Sequence, residues 1–275
     1  MEQQADGRYG PWILAEGSSP VLFDGGDPDN ITNVMFTHNT GDNRPFSPQV
    51  CYARAINRES SAANFGLGAR LHKNAWKAGQ WVHGTTTYTD DTTDAQSTAT
   101  ADFPLEVAAT ANSGFIVQSF EKFNALSILV STASVGTPTR IIEYSNSAGG
   151  WTTLSRQVSA AMVSSNYGTG ENIVWWVTPT DWAPIVAGHG TGLTVGWYGM
   201  RFRSTTAPAT TAGVATSLSV HRIFAPQMSI AQYGVYEFKA SGFYLPLNQS
   251  SNAVFIASST ASSGHAACIL ARGKE

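Results

Sequence analysis

Two runs of carboxylates are the residues best suited to chemistry. The first run, Asp24-Gly-Gly-Asp-Pro-Asp-Asn30, places three carboxylates in one tight loop. Carboxylate oxygens at this density are ligands that Ca²⁺ accepts, but no glutamate follows at the spacing of a helix-flanked calcium loop. Asp and Asn beside Gly and Pro are also ordinary turn residues. The sequence therefore favours a turn here, with an ion held by Asp24, Asp27 and Asp29 as the open alternative.

The second run, Asp90-Asp-Thr-Thr-Asp94, lies ahead of a strand-like segment at residues 102–105. Short Asp and Thr side chains accept hydrogen bonds from the backbone two residues further on. The sequence therefore predicts a loop ordered by Asx and Thr turns at this position.

The histidine, serine and glycine patterns do not mark a metal centre or a nucleophile. No histidine stands at a metal-binding spacing from a Cys, a Glu or another His, so we interpret all six as surface or strand residues. They are His38, His72, His83, His189, His221 and His265. Gly-x-Ser-x-Gly does not occur, and no glycine loop carries a phosphate-binding lysine. We therefore predict no catalytic residue, no cofactor and no metal.

Pairs of carboxylates need separate treatment, because β-sandwiches can carry glycoside hydrolysis. Five of the glutamates lie in different segments, and no spacing marks any two of them as a pair. They are Glu106, Glu121, Glu143, Glu171 and Glu237. The sequence favours a protein without enzymatic activity and leaves a hydrolase as a minor alternative.

Tryptophan is abundant for a chain of this size. Exposed indoles stack on sugar rings in glycan-binding modules, whereas buried ones fill the space between two sheets. Trp175, Trp176 and Trp197 fall in strong strand signals, which favours core or subunit contact. The tryptophans that bear on this choice are Trp76, Trp81, Trp151, Trp175, Trp176, Trp182 and Trp197.

Strand signals recur every eight to twelve residues, while helical periodicity is nearly absent. We predict strands at Phe115–Phe120, Ala125–Thr132, Thr139–Ser145, Asn172–Thr178, Leu193–Ser204 and Thr216–Phe224. One helical turn is expected within residues 178–188, capped by Thr180 or Asp181 and ended by Gly188. This pattern predicts an all-β protein, a jelly-roll-like antiparallel β-sandwich.

The Leu193–Ser204 segment carries a change of phase. Its apolar positions switch faces beside Gly196 and Gly199, which predicts a β-bulge. Beyond the switch, alternation places Arg201 and Arg203 on the face opposite Met200 and Phe202.

The chain is predicted to have three parts. Residues 1–85 form an irregular N-terminal arm or accessory β region, with 60–79 mostly irregular; residues 86–225 form the sandwich; residues 226–275 form a C-terminal β segment. The two ends either pair into a second β layer or act as arms that reach a neighbouring subunit.

Composition and charge limit the classes of partner that the chain is expected to bind. Of 275 residues, 42% are hydrophobic and only 13% charged, with a net charge of −3. Lys and Arg are scattered singly, so nucleic-acid binding is not expected. No apolar run reaches membrane-crossing length, and the N-terminus lacks the layout of a secretory signal. Cys51 and Cys268 could pair only if the chain ends meet in the fold; two buried free thiols are favoured, in a protein assembled in a reducing cytoplasm.

Two stretches carry a family resemblance. Residues 89–132 give TDDTTDA, then the strand entry GFIVQSF and then EKFN; residues 143–204 give EYSNSAGGW, IVWWVTPTDW and GWYGMRFRS. This order resembles jelly-roll modules in structural proteins of tailed bacteriophages, among them head decoration and tail-associated proteins. The resemblance covers residues 86–225.

The resemblance implies a capsid decoration or cement protein without catalysis, assembled in the host cytoplasm and located on the virion surface. Its partner would be the major capsid protein, and homo-oligomers, often trimers, are usual for such proteins. The alternative is a tail or head fibre protein that binds host glycans through exposed aromatics such as Trp151 or Tyr167. A third hypothesis is a secreted hydrolase or carbohydrate-binding module.

Overall fold

The computed structural model divides the chain into two compact units, residues 1–72 with 222–275, and Lys73–His221. It describes the backbone of residues 9–14, 21–22, 31–32, 49–56, 63–71, 73–82, 86–97, 99, 102–136, 138–155, 168–207, 211–223, 228–230, 235–239, 251–258 and 266–274, and side chains only within 71–222. Residues 73–85, expected to belong to the N-terminal region, lie in the second unit.

The first unit contains strands from both ends of the chain. They are β1 Tyr9–Leu14, β2 Val21–Leu22, β3 Ile31–Thr32, β4 Gln49–Ile56, β5 Ala63–Leu71, β16 Met228–Ile230, β17 Val235–Lys239, β18 Ser251–Ser258 and β19 Ala266–Lys274. The last strand, β19, pairs antiparallel with β1, β2 and β4, and β4 pairs with β17. β18 pairs with β3 and β5, and β5 pairs with β16. The two ends of the chain are therefore joined by strand pairing.

The two cysteines lie on neighbouring strands of this unit. Cys51 is in β4, and Cys268 in β19 pairs with Arg54. An offset of three residues is about 10 Å along a strand, longer than the Cα separation that a disulfide spans. This register agrees with two free thiols.

The second unit contains ten strands among its described residues. They are β6 Trp76–Val82, β7 Thr87–Asp90, β8 Phe103–Pro104, β9 Gly114–Ser119, β10 Ala125–Thr132, β11 Arg140–Ser145, β12 Trp151–Thr153, β13 Gly170–Trp175, β14 Tyr198–Ser204 and β15 Val214–Ile223, the last of which ends just beyond the unit. Short helices are the 3-10 turns Lys73–Ala75 and Ala187–His189 and the single turn α1 Thr92–Ala95. One sheet has the order β12-β11-β14-β9-β6-β7. In the other, β10 pairs with β13 and β15, and β15 pairs with β8.

Aromatic side chains fill the space between these two sheets. Phe115 of β9 stacks on Phe202 of β14 at 4.8 Å between ring centroids and meets Phe103 of β8 edge-on. Trp176, beyond β13, contacts both Phe202 and Phe123. Buried rings of this size bring a large hydrophobic contribution and prefer such offset and edge contacts. The predicted antiparallel β-sandwich is confirmed; its jelly-roll connectivity stays a prediction.

The predicted strands lie close to the observed ones, with one correction at residues 193–197. The strand begins only at Tyr198, and Gly196 has a φ of +89° in a turn. The turn closes through a hydrogen bond from Trp197 N to Thr194 O. The change of phase that predicted a bulge is therefore the boundary between a loop and a strand.

The helical turn expected within residues 178–188 is wrong. Backbone N–H groups of this segment bond to other segments: Ala183 donates to Ser145 and Ile185 to Trp197. Pro184 has no N–H to give. The backbone N–H groups of Ala183 and Ile185 therefore bond to other segments and are not free to form a helix. The helical structure here is limited to the 3-10 turn at Ala187–His189.

The irregular structure expected for residues 60–79 is also wrong, because β5 and most of β6 lie there. In β6, Gly79 is required by close packing: a Cβ there would lie 2.0 Å from Thr89 O and 2.8 Å from the Tyr88 ring. Glycine in a strand often marks such a close approach.

A buried ion pair ties several segments of this unit together. Arg140 Nη2 of β11 lies 3.1 Å from both carboxylate oxygens of Glu106 and donates to Ser134 at 2.6 Å. Glu106 also accepts from Ser204 Oγ and from Gly213 N. Both charged side chains are nearly inaccessible to solvent. This carboxylate is therefore committed to structure.

We predict that Glu106→Ala lowers the free energy of unfolding of the full chain by about 3–5 kcal/mol, because Arg140 is left buried without its counter-charge. Urea unfolding measures the loss. The control is Glu121→Ala, a half-buried glutamate, which should cost less than about 1 kcal/mol. Equal small losses for both variants would contradict a structural role for the pair.

Candidate binding cleft

The site begins with the alternation of β14. Met200 and Phe202 point into the sandwich, so Arg201 and Arg203 must point to the outer face of the six-stranded sheet. In register, Arg201 lies opposite Glu143 of β11. The predicted separation of the two arginines from the apolar pair is thus confirmed, and the neighbouring strand supplies their carboxylate.

Glu143 binds both guanidinium groups. Its Oε2 accepts from Arg201 Nε and from Arg203 Nε, each at 2.8 Å, and its Oε1 accepts from Arg203 Nη2 at 3.1 Å. Arg203 Nη1 also donates to Asn112 Oδ1. Glu143 is 5% exposed and Arg201 8% exposed. Two cations thus share one buried anion.

Two indoles enclose the Arg201 guanidinium. Its Cζ lies 5.4 Å from the ring centroid of Trp81 in β6 and 4.8 Å from that of Trp151 in β12. Both distances are within cation–π range. Burial lowers the pKa of Arg201, and the charge and hydrogen bond of Glu143 oppose that change. We call Trp81, Arg201 and Trp151 the Trp–Arg–Trp stack.

The loop between β13 and β14 forms one wall beside the stack. It is fixed at both ends, since Ala183 N donates to Ser145 O of β11 and Tyr88 N of β7 donates to Thr191 O. Within it, His189 is 3% exposed and meets the Trp151 ring edge-on at 5.4 Å. This wall is held by backbone hydrogen bonds to the sheet.

A cleft of about 540 Å³ opens between this loop, the β11–β12 turn and the sheet. That volume is within the range of small-ligand sites. Its lining includes four glycines and two threonines together with Trp81, Asn112, Trp151, His189, Arg201 and Arg203. No Asp or Glu is among the described residues that line it, so the two arginines give its wall a positive charge.

Two buried nitrogen atoms near the cleft have no hydrogen-bond partner within the described part of the chain. They are the indole Nε1 of Trp81 and the imidazole Nε2 of His189. The other imidazole nitrogen, Nδ1, lies 3.0 Å from Val186 N and 3.1 Å from Val186 O, so it can accept from the first or donate to the second. The indole N–H of Trp81 is a donor in either case, and without an acceptor it adds positive potential beside the arginines.

The structure separates the tryptophans that the sequence grouped. Trp76, Trp81, Trp175, Trp176 and Trp182 are buried, as the core interpretation predicts. Trp151 and Trp197 are only half-buried. Tyr167, the other residue considered for glycan contact, lies outside the described residues.

One histidine assignment is wrong. His189 is neither a surface nor a strand residue, because the loop folds it into the cleft wall. His221 does lie in a strand, β15, and is buried. The other four histidines are outside the described residues.

Only one of the two acidic runs lies among the described residues. Asp24, Asp27 and Asp29 lie outside the described residues. Asp90 Oδ1 accepts from both the backbone N and the hydroxyl of Thr92, an Asx turn as predicted. No group of three or more His, Cys, Asp or Glu side chains that could hold an ion occurs among the residues described. Within the same residues, no helix is long and apolar enough to cross a membrane.

A second surface feature lies at the other end of the β13–β14 loop. Val195 is 64% exposed, and Phe120, 48% exposed, meets the Trp197 ring edge-on at 6.1 Å. Lysines lie over two of the rings, Lys77 over Trp197 at 5.8 Å and Lys122 over Tyr198 at 5.3 Å. We call this group the Trp197 patch.

Comparison of the chain with protein-family models, with curated proteins and with solved structures finds no match. Its class is therefore defined by the fold and site themselves: an antiparallel β-sandwich with a cationic, tryptophan-lined cleft on the outer face of one sheet.

Sequence reasoning missed Trp81, His189 and Asn112 as neighbours of the two arginines. One available signal was the alternation Met-Arg-Phe-Arg, which places two cations on one face. Their partners come from β6, from the loop before β9 and from the loop before β14, and only the strand order brings these segments together.

The acidic turn gives a prediction about pH. Partial burial, followed by the hydrogen bond and charge of Asp94, raises the pKa of Asp91 to about 6. An acid with a raised pKa in the folded state destabilises the fold once it ionises, so stability falls as the pH rises from about 4 to about 6. Asp91→Asn should therefore stabilise the chain at pH 7.5 by about 1 kcal/mol, after allowance for solvent screening.

Thermal unfolding at two pH values checks this. Most of the gain should disappear at pH 4, where folded wild-type Asp91 is already protonated. Asp181→Asn, at an exposed carboxylate outside this turn, should give no such gain. Equal stabilisation by Asp91→Asn at both pH values would contradict the electrostatic explanation.

Proposed function

We propose that this chain is a non-enzymatic structural protein of a tailed-phage virion, and that it binds host surface glycans through the cleft beside the Trp–Arg–Trp stack. The observation that carries the glycan role is the cleft itself. It combines a half-buried indole, Trp151, with charged and hydroxyl donors in a volume of about 540 Å³. Sugar rings present apolar C–H faces that pack on indoles and hydroxyl groups that accept hydrogen bonds.

The two buried glutamates of the second unit, Glu106 and Glu143, are arranged for structure rather than for catalysis. A glycosidase needs one carboxylate to give a proton and a second to act as base or nucleophile. Glu106 is bound by Arg140, and Glu143 is bound by Arg201 and Arg203. Both are committed to arginines, so neither has the environment of a general acid. The virion assignment rests on the phage resemblance of residues 86–225.

The pairing of the chain ends favours glycan binding over a cement role. Chain ends that act as arms reaching a neighbouring subunit would suit a cement role. β1 and β4 instead pair with the final strand β19. Strands held in a sheet have fewer backbone groups to offer to a partner.

Capsid decoration, which the sequence resemblance puts first, is the second candidate, and the Trp197 patch favours it. Exposed aromatic and aliphatic groups flanked by Lys77 and Lys122 suit a protein surface with apolar and acidic side chains. The partner would be the major capsid protein, with the chain acting as a homo-oligomer, a trimer by resemblance, on the capsid surface.

Matched tryptophan variants test the proposed function. We predict that Trp151→Ala weakens binding to a glycan array of host-surface oligosaccharides at least about tenfold, because a stacking surface is lost. Trp197→Ala, also at a half-buried tryptophan, should keep that binding. Near-ultraviolet circular dichroism checks that both variants are folded. Absence of glycan binding by the wild-type chain, or equal effects of the two variants, would contradict the cleft as the site.

Quantification of purified particles separates the two candidates. A glycan-binding fibre protein should be present in a few copies, whereas a decoration protein should be present in copy numbers set by capsid symmetry. In the second case, Trp197→Ala should reduce occupancy of the capsid and Trp151→Ala should not. High symmetric copy number together with no glycan binding would overturn the leading proposal.

A further inference from the structure

We infer that the cleft selects sugars that carry a carboxylate, such as uronic or nonulosonic acids. This inference rests on the proposed glycan-binding function and names the ligand class of the same cleft. Its support is independent of the stacking argument, because it comes from the balance of charges and of hydrogen-bond donors around the cleft.

The charge balance favours an anion. Arg201 and Arg203 both line the cleft. They carry two positive charges and share a single carboxylate, that of Glu143. None of the described lining residues is acidic. Among the described residues, one positive charge is therefore left without a counter-charge beside the cleft. Arg201 and Glu143 are buried there, and electrostatic attraction near buried groups is stronger than in water. A neutral sugar would leave this charge uncompensated.

The donor balance points the same way. Two guanidinium groups carry ten N–H donors between them, and Glu143 offers two oxygen atoms. Asn112 Oδ1, another acceptor in the lining, is already bound by Arg203. Trp81 Nε1 is a further buried donor with no partner among the described residues. A site with surplus donors favours a ligand that only accepts, as an ionised carboxylate does.

The geometry of Glu143 indicates a carboxylate as the anion. Arg203 binds it with Nε and Nη2, the side-on pair of a planar fork, while Arg201 approaches the same oxygen from the other side. Guanidinium groups match planar carboxylates in this two-bond arrangement. A ligand carboxylate on the cleft side of Arg203 would use the N–H groups that point away from Glu143.

The Trp151 indole and the two arginines are close enough to contact the same sugar residue. Trp151 lies 4.8 Å from the Arg201 guanidinium carbon, and both line the cleft with Arg203. In an acidic pyranose the carboxylate is attached directly to the ring, so one residue can place its ring against Trp151 and its carboxylate near Arg203. A longer spacer between the two groups is not required.

Titration calorimetry of the full chain tests this with the ligand as the variable. The probes are an oligosaccharide ending in glucuronic acid, its methyl ester, and the same oligosaccharide ending in glucose. The acid should bind at least about tenfold more tightly than either neutral form, and its advantage should shrink as the salt concentration rises. A terminal sugar 6-sulfate serves as a fourth probe and should bind more weakly than the acid.

Two matched substitutions add a test from the side of the protein. Arg203→Gln removes the charge and keeps a polar side chain, and it should abolish the preference for the acid over the ester. Lys122→Gln removes a positive charge from the Trp197 patch and should keep that preference. Because the acid and ester are compared on the same protein, a general loss of stability cannot imitate loss of the preference.

The outcomes separate the two proposals. Equal binding of acid, ester and glucose forms, lost in Trp151→Ala, would overturn the carboxylate inference and leave glycan binding standing. Tighter binding of the sulfate than of the acid would also overturn it, in favour of a general anion site. No binding of any probe, together with no binding to the glycan array, would overturn both.

Discussion

The feature on which the rest of this unit depends is the Arg201 guanidinium, buried between two indoles and bound to Glu143. A buried charge without a partner costs several kcal/mol, so the neighbouring strands must keep the register that supplies its counter-charge. That register involves β6, β11, β12 and β14, four of the six strands in the sheet. A shift of one residue in β14 would send the arginines into the sandwich and Phe202 towards solvent.

The same arrangement explains why both faces of the sheet are covered. Phe115 and Phe202 close the inner face. On the outer face, Ile116 and Tyr88 pack with Trp81, and Leu193 of the long loop packs against them. Gly114 allows β14 to approach, since a Cβ there would lie 1.9 Å from Phe202 O. The cleft is the part of the outer face that this loop leaves open, and its walls are therefore held by the core rather than by flexible side chains.

Local patterns predicted much of the fold, because strand alternation and turn residues act over short distances. The strands around Ile128 and Ile142 and the two faces of β14 follow from them. The failures have a common cause in contacts between distant segments. Gly79 lies in β6 because a larger side chain would collide with Tyr88, a contact that the local sequence does not show. The backbone N–H groups of Ala183 and Ile185 donate to other segments instead of forming a helix. The cleft could be foreseen only in part, since alternation pairs the arginines but the strand order selects Trp81 and Trp151.

Hydrogen exchange at arginine side chains, followed by NMR with ¹⁵N-labelled arginine, tests the central claim directly. The Nε–H groups of Arg201 and Arg203 both donate to the buried Glu143 carboxylate. Their two resonances, assigned by single replacement with lysine, should exchange far more slowly than those of solvent-exposed arginines, and Glu143→Gln should accelerate both. If both exchange as fast as exposed arginines in the wild-type chain, the guanidinium groups are not held by Glu143 and the account of the cleft is wrong.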